Sequence, residues 1–187
     1  MSMPTDGKVY FAGCYAPDGY DMRVVKIGCA GDPEKRVKSV KVGQPFECRL
    51  LTWMPGDIFM EYFVHFWLRA DHLTGEFFRW RGETARVIEH VRQFGTHPFP
   101  IRWTGPEGTF SSLDLVAFME RNGISLDDVR KESRVACKGY ETMLAKERCG
   151  NRRFLAALSV TAIRRGIPLN WPRDFQAASR APLQAAA

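Results

Sequence analysis

Short apolar runs come first along this chain and longer helix-periodic stretches follow. Lys8 to Tyr15 (KVYFAGCY) and Met22 to Cys29 (MRVVKIGC) are rich in Val, Tyr, Phe and Ile. Between them Pro17, Asp18 and Gly19 supply turn chemistry, so the pair predicts a β-hairpin. Next, Asp32 stands as N-cap with Pro33 at the first helical position. This predicts a helix carrying Lys35, Arg36, Lys38 and Lys41 and stopped by Gly43. Cys48 to Met54 reads as a third strand, and Pro55-Gly56 as a break before a second helix beginning near Asp57.

That second helix is apolar nearly all round, with Ile58, Phe59, Met60, Tyr62, Phe63, Val64, Phe66, Trp67 and Leu68, as expected of a buried helix. Its polar exceptions, Asp57, Glu61, His65 and Arg69, recur every fourth residue and form one slowly rotating stripe, which either faces solvent or lines a groove. Gly75 to Trp80 reads as an extended segment. Glu83 to Phe94 reads as an amphipathic helix with Val87, Ile88 and Val91 inward. Prolines and glycines between Thr96 and Thr109 mark a boundary. Beyond it, Ser111-x-x-Asp114 and Ser125-x-x-Asp128 each open a helix with a capping box, and further helical pattern runs through 140–146 and 154–165.

The expected organisation is an α/β domain over residues 1–97, with a small, mainly antiparallel three-stranded sheet flanked by helices. A linker over 98–110, a basic helical region over 111–175 and a disordered tail over 176–187 complete it. Within the helical region, Ser125–Ser133, Arg134-Val135-Ala136 and Cys137–Lys146 form a loose candidate helix-turn-helix; a bundle that merely packs is the alternative.

At 187 residues and 45% hydrophobic content the chain can bury a proper core. The first residues lack the apolar core of a signal peptide, and no apolar stretch is long enough to span a bilayer, which predicts a cytoplasmic protein with no membrane partner. Five scattered cysteines without a C-x-x-C pair point to reduced, mostly buried thiols. Residues 1–100 hold 13 Lys/Arg against 12 Asp/Glu, whereas residues 101–187 hold 14 against 9, so the surplus behind the net charge of +6 lies in the second half. Such a surplus suits a phosphate backbone, with Arg148, Arg152 and Arg153 as candidate contacts beside Lys35, Lys38 and Lys41, though it also occurs on ordinary solvated helices.

The order Val9-Tyr10-Phe11, Lys26-Ile27-Gly28, Arg36 eight residues after Gly28, Glu61-x-x-x-His65 and Gly75-Glu76-Phe77-Phe78 resembles the GIY-YIG nuclease superfamily, in particular its phage-associated branch with a K-I-G second motif. The resemblance spans Val9 to Trp80. It implies a metal-dependent DNA endonuclease in which Tyr10, Lys26, Arg36 and His65 are catalytic and Glu61 binds Mg²⁺ or Mn²⁺. The first motif departs from the family by lacking its glycine and isoleucine, and Lys26 replaces a tyrosine found in many members.

The chemistry is coherent apart from the name. Phosphodiester hydrolysis needs a base for the water, cations for the pentacovalent charge and help for the leaving oxygen. Tyr10 serves as base only if its pKa falls towards neutrality, and Lys26, Arg36 and a metal ion all push that way. The planar fork of Arg36 suits a phosphate, and one carboxylate, Glu61, suffices for a cation that keeps waters and takes phosphate oxygens. Read without the family, Tyr10 is a strand packing residue, Arg36 and Glu61 an ion pair between helices, His65 a hydrogen-bonded core histidine, Glu76 a structural residue, and Gly28 a backbone requirement where the strand turns. Two further classes therefore stand beside the endonuclease: a DNA-binding or regulatory protein on an inactive nuclease scaffold, and a protein-interaction module of phage or mobile-element origin.

Overall fold

The computed structural model describes residues 7–40, 45–101, 110–133 and 137–169. The chain divides into two compact units, Met1–Phe99 and Pro100–Ala187.

In the first unit, β1 (Lys8–Tyr15) and β2 (Asp21–Ala30) form the expected hairpin, with Tyr10 opposite Gly28 and Ala12 opposite Lys26. On its other side β1 pairs antiparallel with β3 (Glu47–Pro55). The sheet does not stop at three strands. The segment read as simply extended is half of a second hairpin, β4 (His72–Thr74) and β5 (Phe77–Arg79), turning at Gly75 with φ +53°. Strand β5 pairs with β2, giving a five-stranded antiparallel sheet of order β3-β1-β2-β5-β4. These strands are three residues long, too short for an alternation of side chains to announce them.

Helix α1 (Pro33–Ser39) begins as its sequence dictates, with the Asp32 side chain accepting from the Lys35 N–H at 3.0 Å. It ends at Ser39, and the expected helix positions Lys41 and Gly43 lie outside the described residues. Val37 of α1 packs into a cluster with Tyr10, Ala12, Cys14 and Cys48 on one face of the sheet. Helix α2 (Ile58–Trp67) starts from Asp57, whose carboxylate accepts from the N–H groups of Phe59 and Met60. It serves the opposite face: His65 packs on Phe78, which pairs with Val25 and so points away from Phe77 and Lys26. Arg69 has left the helix and begins a 3-10 turn, Arg69–Asp71. Helix α3 (Gly82–Phe94) buries Val87, Ile88 and Val91 as its period predicts.

The second unit is not wholly helical. Its strands β6 (Phe110–Ser111) and β7 (Arg148–Cys149) pair antiparallel, and its helices are α4 (Ser112–Arg121), α5 (Leu126–Ser133), α6 (Cys137–Leu144) and α7 (Arg152–Arg164). Both serine caps form: Ser111 Oγ accepts from Asp114 N–H, and Ser125 and Asp128 bond reciprocally. Helix α7 is the core element, buried from Phe154 to Ala162. Helices α5 and α6 fall where the helix-turn-helix reading puts its two helices, but residues 134–136 between them, like 102–109 of the linker and the tail, are outside the described residues. Cys14, Cys48 and Cys149 are buried thiols and Cys29 is half-buried. Among the described residues no helix is long and apolar enough to cross a membrane.

Candidate active site

Tyr10 sits in the central strand and is 1% exposed. Its ring lies over Gly28 on the neighbouring strand, where a Cβ would come within 2.6 Å of the phenol oxygen. Glycine is therefore required at position 28 for space. The backbone explanation is corrected, because its φ does not lie among the positive values.

Lys26, two residues away on the same pleat, is buried, and its ammonium forms an ion pair with Glu76 in the β4–β5 turn. Burial, and then Arg36, push the Lys26 pKa down. Arg36 reaches in from the exposed side of α1 and hydrogen-bonds the Tyr10 hydroxyl. Glu61 is 7% exposed; burial raises its carboxyl above the usual range, while Lys26, the Cys29 N–H and Arg36 act in the other direction. Tyr10, Lys26 and Glu61 each feel the charge of Arg36, and Glu61 acts on both Tyr10 and Lys26.

The route by which Glu61 arrives is local backbone logic. Strand β5 covers β2 only at Val24, Val25 and Lys26. Beyond that, among the described residues, the outer edge of β2 pairs with no further strand; the Ile27 N–H donates to the Glu76 carbonyl at 2.9 Å, and the remaining backbone groups must be satisfied otherwise. Helix α2 does it with side chains: the Glu61 carboxylate accepts from the Cys29 N–H, and His65 Nε2 donates to the Ile27 carbonyl at 3.1 Å. Residues four apart on the helix match residues two apart on the strand, since both steps cover roughly 6–7 Å. His65 therefore acts on β2 backbone and on Phe78.

One expectation is reversed. The neighbours of Tyr10 do not bring its pKa down; burial raises it above the ordinary phenol value, and Arg36 offsets only part of that. Glu76, set aside from the sequence as structural, enters the site through Lys26; its Gly-Glu-Phe-Phe surroundings were the available signal. Lys35 and Lys38 are exposed on the same helix as Arg36. In the second unit, Arg153 donates to the Ser133 carbonyl, Arg164 pairs with Glu132 at 2.6 Å and Arg165 with Asp128 at 2.7 Å. These three dock α7 on α5. Arg148 is exposed, Arg152 half-buried, and each has further interactions of its own.

Among the described residues no group of three or more His, Cys, Asp or Glu could hold a metal ion. The donor set still fits a hard cation of one kind: an oxygen-only site in which Glu61 supplies the one carboxylate and substrate phosphate and water supply the rest. Comparison with known protein families, with curated proteins and with solved structures gave no match.

Proposed function

We propose that this protein is a GIY-YIG-type, divalent-metal-dependent DNA endonuclease that hydrolyses phosphodiester bonds. The observation that supports it is the convergence of a buried phenol, a guanidinium, a buried ammonium and a buried carboxylate from four separate elements. Packing alone gives no reason to collect four ionisable groups at one end of a hairpin, and perturbed groups of this kind cluster at functional sites.

In this reading Arg36 binds two oxygens of the scissile phosphate through its fork. Lys26, held by Glu76, is the second fixed positive charge near the developing negative charge. The Tyr10 hydroxyl, bonded to Arg36, orients the attacking water, and loss of its proton is opposed by burial, so turnover rises as pH rises. Glu61 would hold Mg²⁺ or Mn²⁺, which would supply Lewis-acid stabilisation of the negative charge developing on the phosphate.

The second reading is a DNA-binding protein on an inactive scaffold. It is favoured by the raised Tyr10 pKa and by the neutralisation of Lys26 by Glu76. One experiment separates the two. Purified protein is incubated with labelled duplex and branched DNA in Mg²⁺, Mn²⁺ or EDTA, beside Glu61→Gln. Endonuclease activity requires metal-dependent cleavage that Glu61→Gln loses while still binding DNA; wild-type-level cleavage by that variant sinks the catalytic model. Binding without cleavage by the wild type selects the scaffold reading.

A further inference from the structure

Beside the candidate site, a shallow cleft of about 300 Å³ opens on the β4–β5 side of the sheet, lined by Met22, Arg23, Leu73, Arg79, Trp80 and Arg81. It combines apolar side chains and an indole with three guanidinium groups. Arg92 of α3, outside the cleft lining, stands 5.7 Å from the Trp80 ring. These charges are weakly engaged. Arg23 and Arg81 meet Asp21 and Asp71 only at 3.9 and 3.4 Å with side chains 76% and 66% exposed, and Arg79 makes no ion pair among the described residues.

The cleft continues the candidate site. Arg79 pairs with Val24 and Phe77 with Lys26, and alternate strand residues share a face, so Arg79 stands on the Lys26 side of the sheet about 7 Å along the strand. A second observation concerns the backbone. Arg23 is the one non-glycine residue with positive φ among the described residues, at +54°. It is held there from both sides: its N–H donates to Asp21 Oδ1 at 2.8 Å and its carbonyl accepts from the Trp80 N–H at 2.7 Å. These two bonds fix the Arg23 backbone at the wall of the cleft.

We propose that this cleft receives an unpaired nucleotide of the DNA strand that enters the candidate site, its base against Trp80 and its phosphates on Arg79 and Arg23. The inference rests on the nuclease reading for the identity of the strand. Apolar side chains and an indole suit a base face, which every nucleotide carries, and guanidinium groups suit the linking phosphates. A uniformly charged polyanion without rings would use the guanidinium groups and leave the indole without a partner. A paired base would keep its faces inside the stack.

The test uses the full chain in EDTA, with labelled oligothymidylate, blunt duplex and inorganic polyphosphate as probes, read by fluorescence anisotropy across a salt series. Arg79→Gln should weaken oligothymidylate binding and flatten its salt slope by about 0.7. Trp80→Leu should weaken oligothymidylate by about 10-fold, spare polyphosphate, and be rescued by Trp80→Phe. The proposal is overturned if Arg79→Gln leaves affinity unchanged, if Trp80→Leu has no effect, or if the variants weaken blunt duplex as much as the unpaired strand. Thermal melts establish folding; should Trp80→Leu fail to fold, the exposed Arg79 decides alone. A wild type that cleaves DNA while these variants keep full affinity removes the cleft and leaves the nuclease standing, whereas a wild type that binds no nucleic acid removes both.

Discussion

A phenol packed on a bare α-carbon leaves no room for a methyl group. Gly28→Ala should therefore displace Tyr10 and lower stability by about 1–3 kcal/mol, the usual cost of overpacking, seen as a lower denaturant midpoint; an unchanged midpoint counts against the packing described. Glu61 offers a pH test. Its folded pKa lies above the ordinary 4.5, so above that value the folded chain binds more protons than the unfolded one and stability falls as pH rises through the window. Glu61→Gln cannot ionise and escapes this fall. Melting curves from acid to neutral pH should show the variant gaining on the wild type, and parallel curves would refute the burial argument. At this scale the sequence exposed Tyr10, Lys26, Arg36 and Glu61 because their spacing follows a known order. It could not expose the sign of the Tyr10 shift, which depends on how much water the folded neighbours exclude.

Several helix starts were legible from a side chain that bonds its own backbone: Asp32, Ser111 and Ser125 cap as read, Asp57 caps the helix read as beginning near it, and the Asn151 cap of α7 was missed. Strands β4 to β7 were not, because two or three residues carry no period and their pairing comes from distant segments. The bond between α2 and the β2 edge is likewise non-local. It predicts that Glu61→Ala speeds hydrogen exchange at the Cys29 amide while Glu61→Gln, which keeps an acceptor, does not. Equal exchange in both variants would remove the bond from consideration. His65→Ala should cost about 1 kcal/mol in thermal unfolding, the typical worth of one hydrogen bond, and leave DNA affinity unaltered.

Two compact units in one chain imply two sets of packing interactions. The surplus charge of the second half is partly internal, since Arg153, Arg164 and Arg165 are bonded to α5 or its flanks. Arg164→Ala and Arg165→Ala should each lower the stability of the second unit by about 1 kcal/mol or less given their exposure, seen as a lower melting temperature, and, if the chain binds DNA, leave its salt slope unchanged. A flattened salt slope would make these arginines candidate DNA contacts. Their bonding partners lie in α5 and beside Gly123, at separations that charge counting cannot see.

A strand edge left bare invites a second chain to add itself, and evolution commonly guards such edges with charge. Here the guard includes the carboxylate on which hydrolysis would depend. Selection against self-association would then preserve Glu61 whether or not the chain cuts DNA. Under the endonuclease reading, loss of activity would register first at Tyr10 or Arg36, and an intact glutamate alone would say little about catalysis.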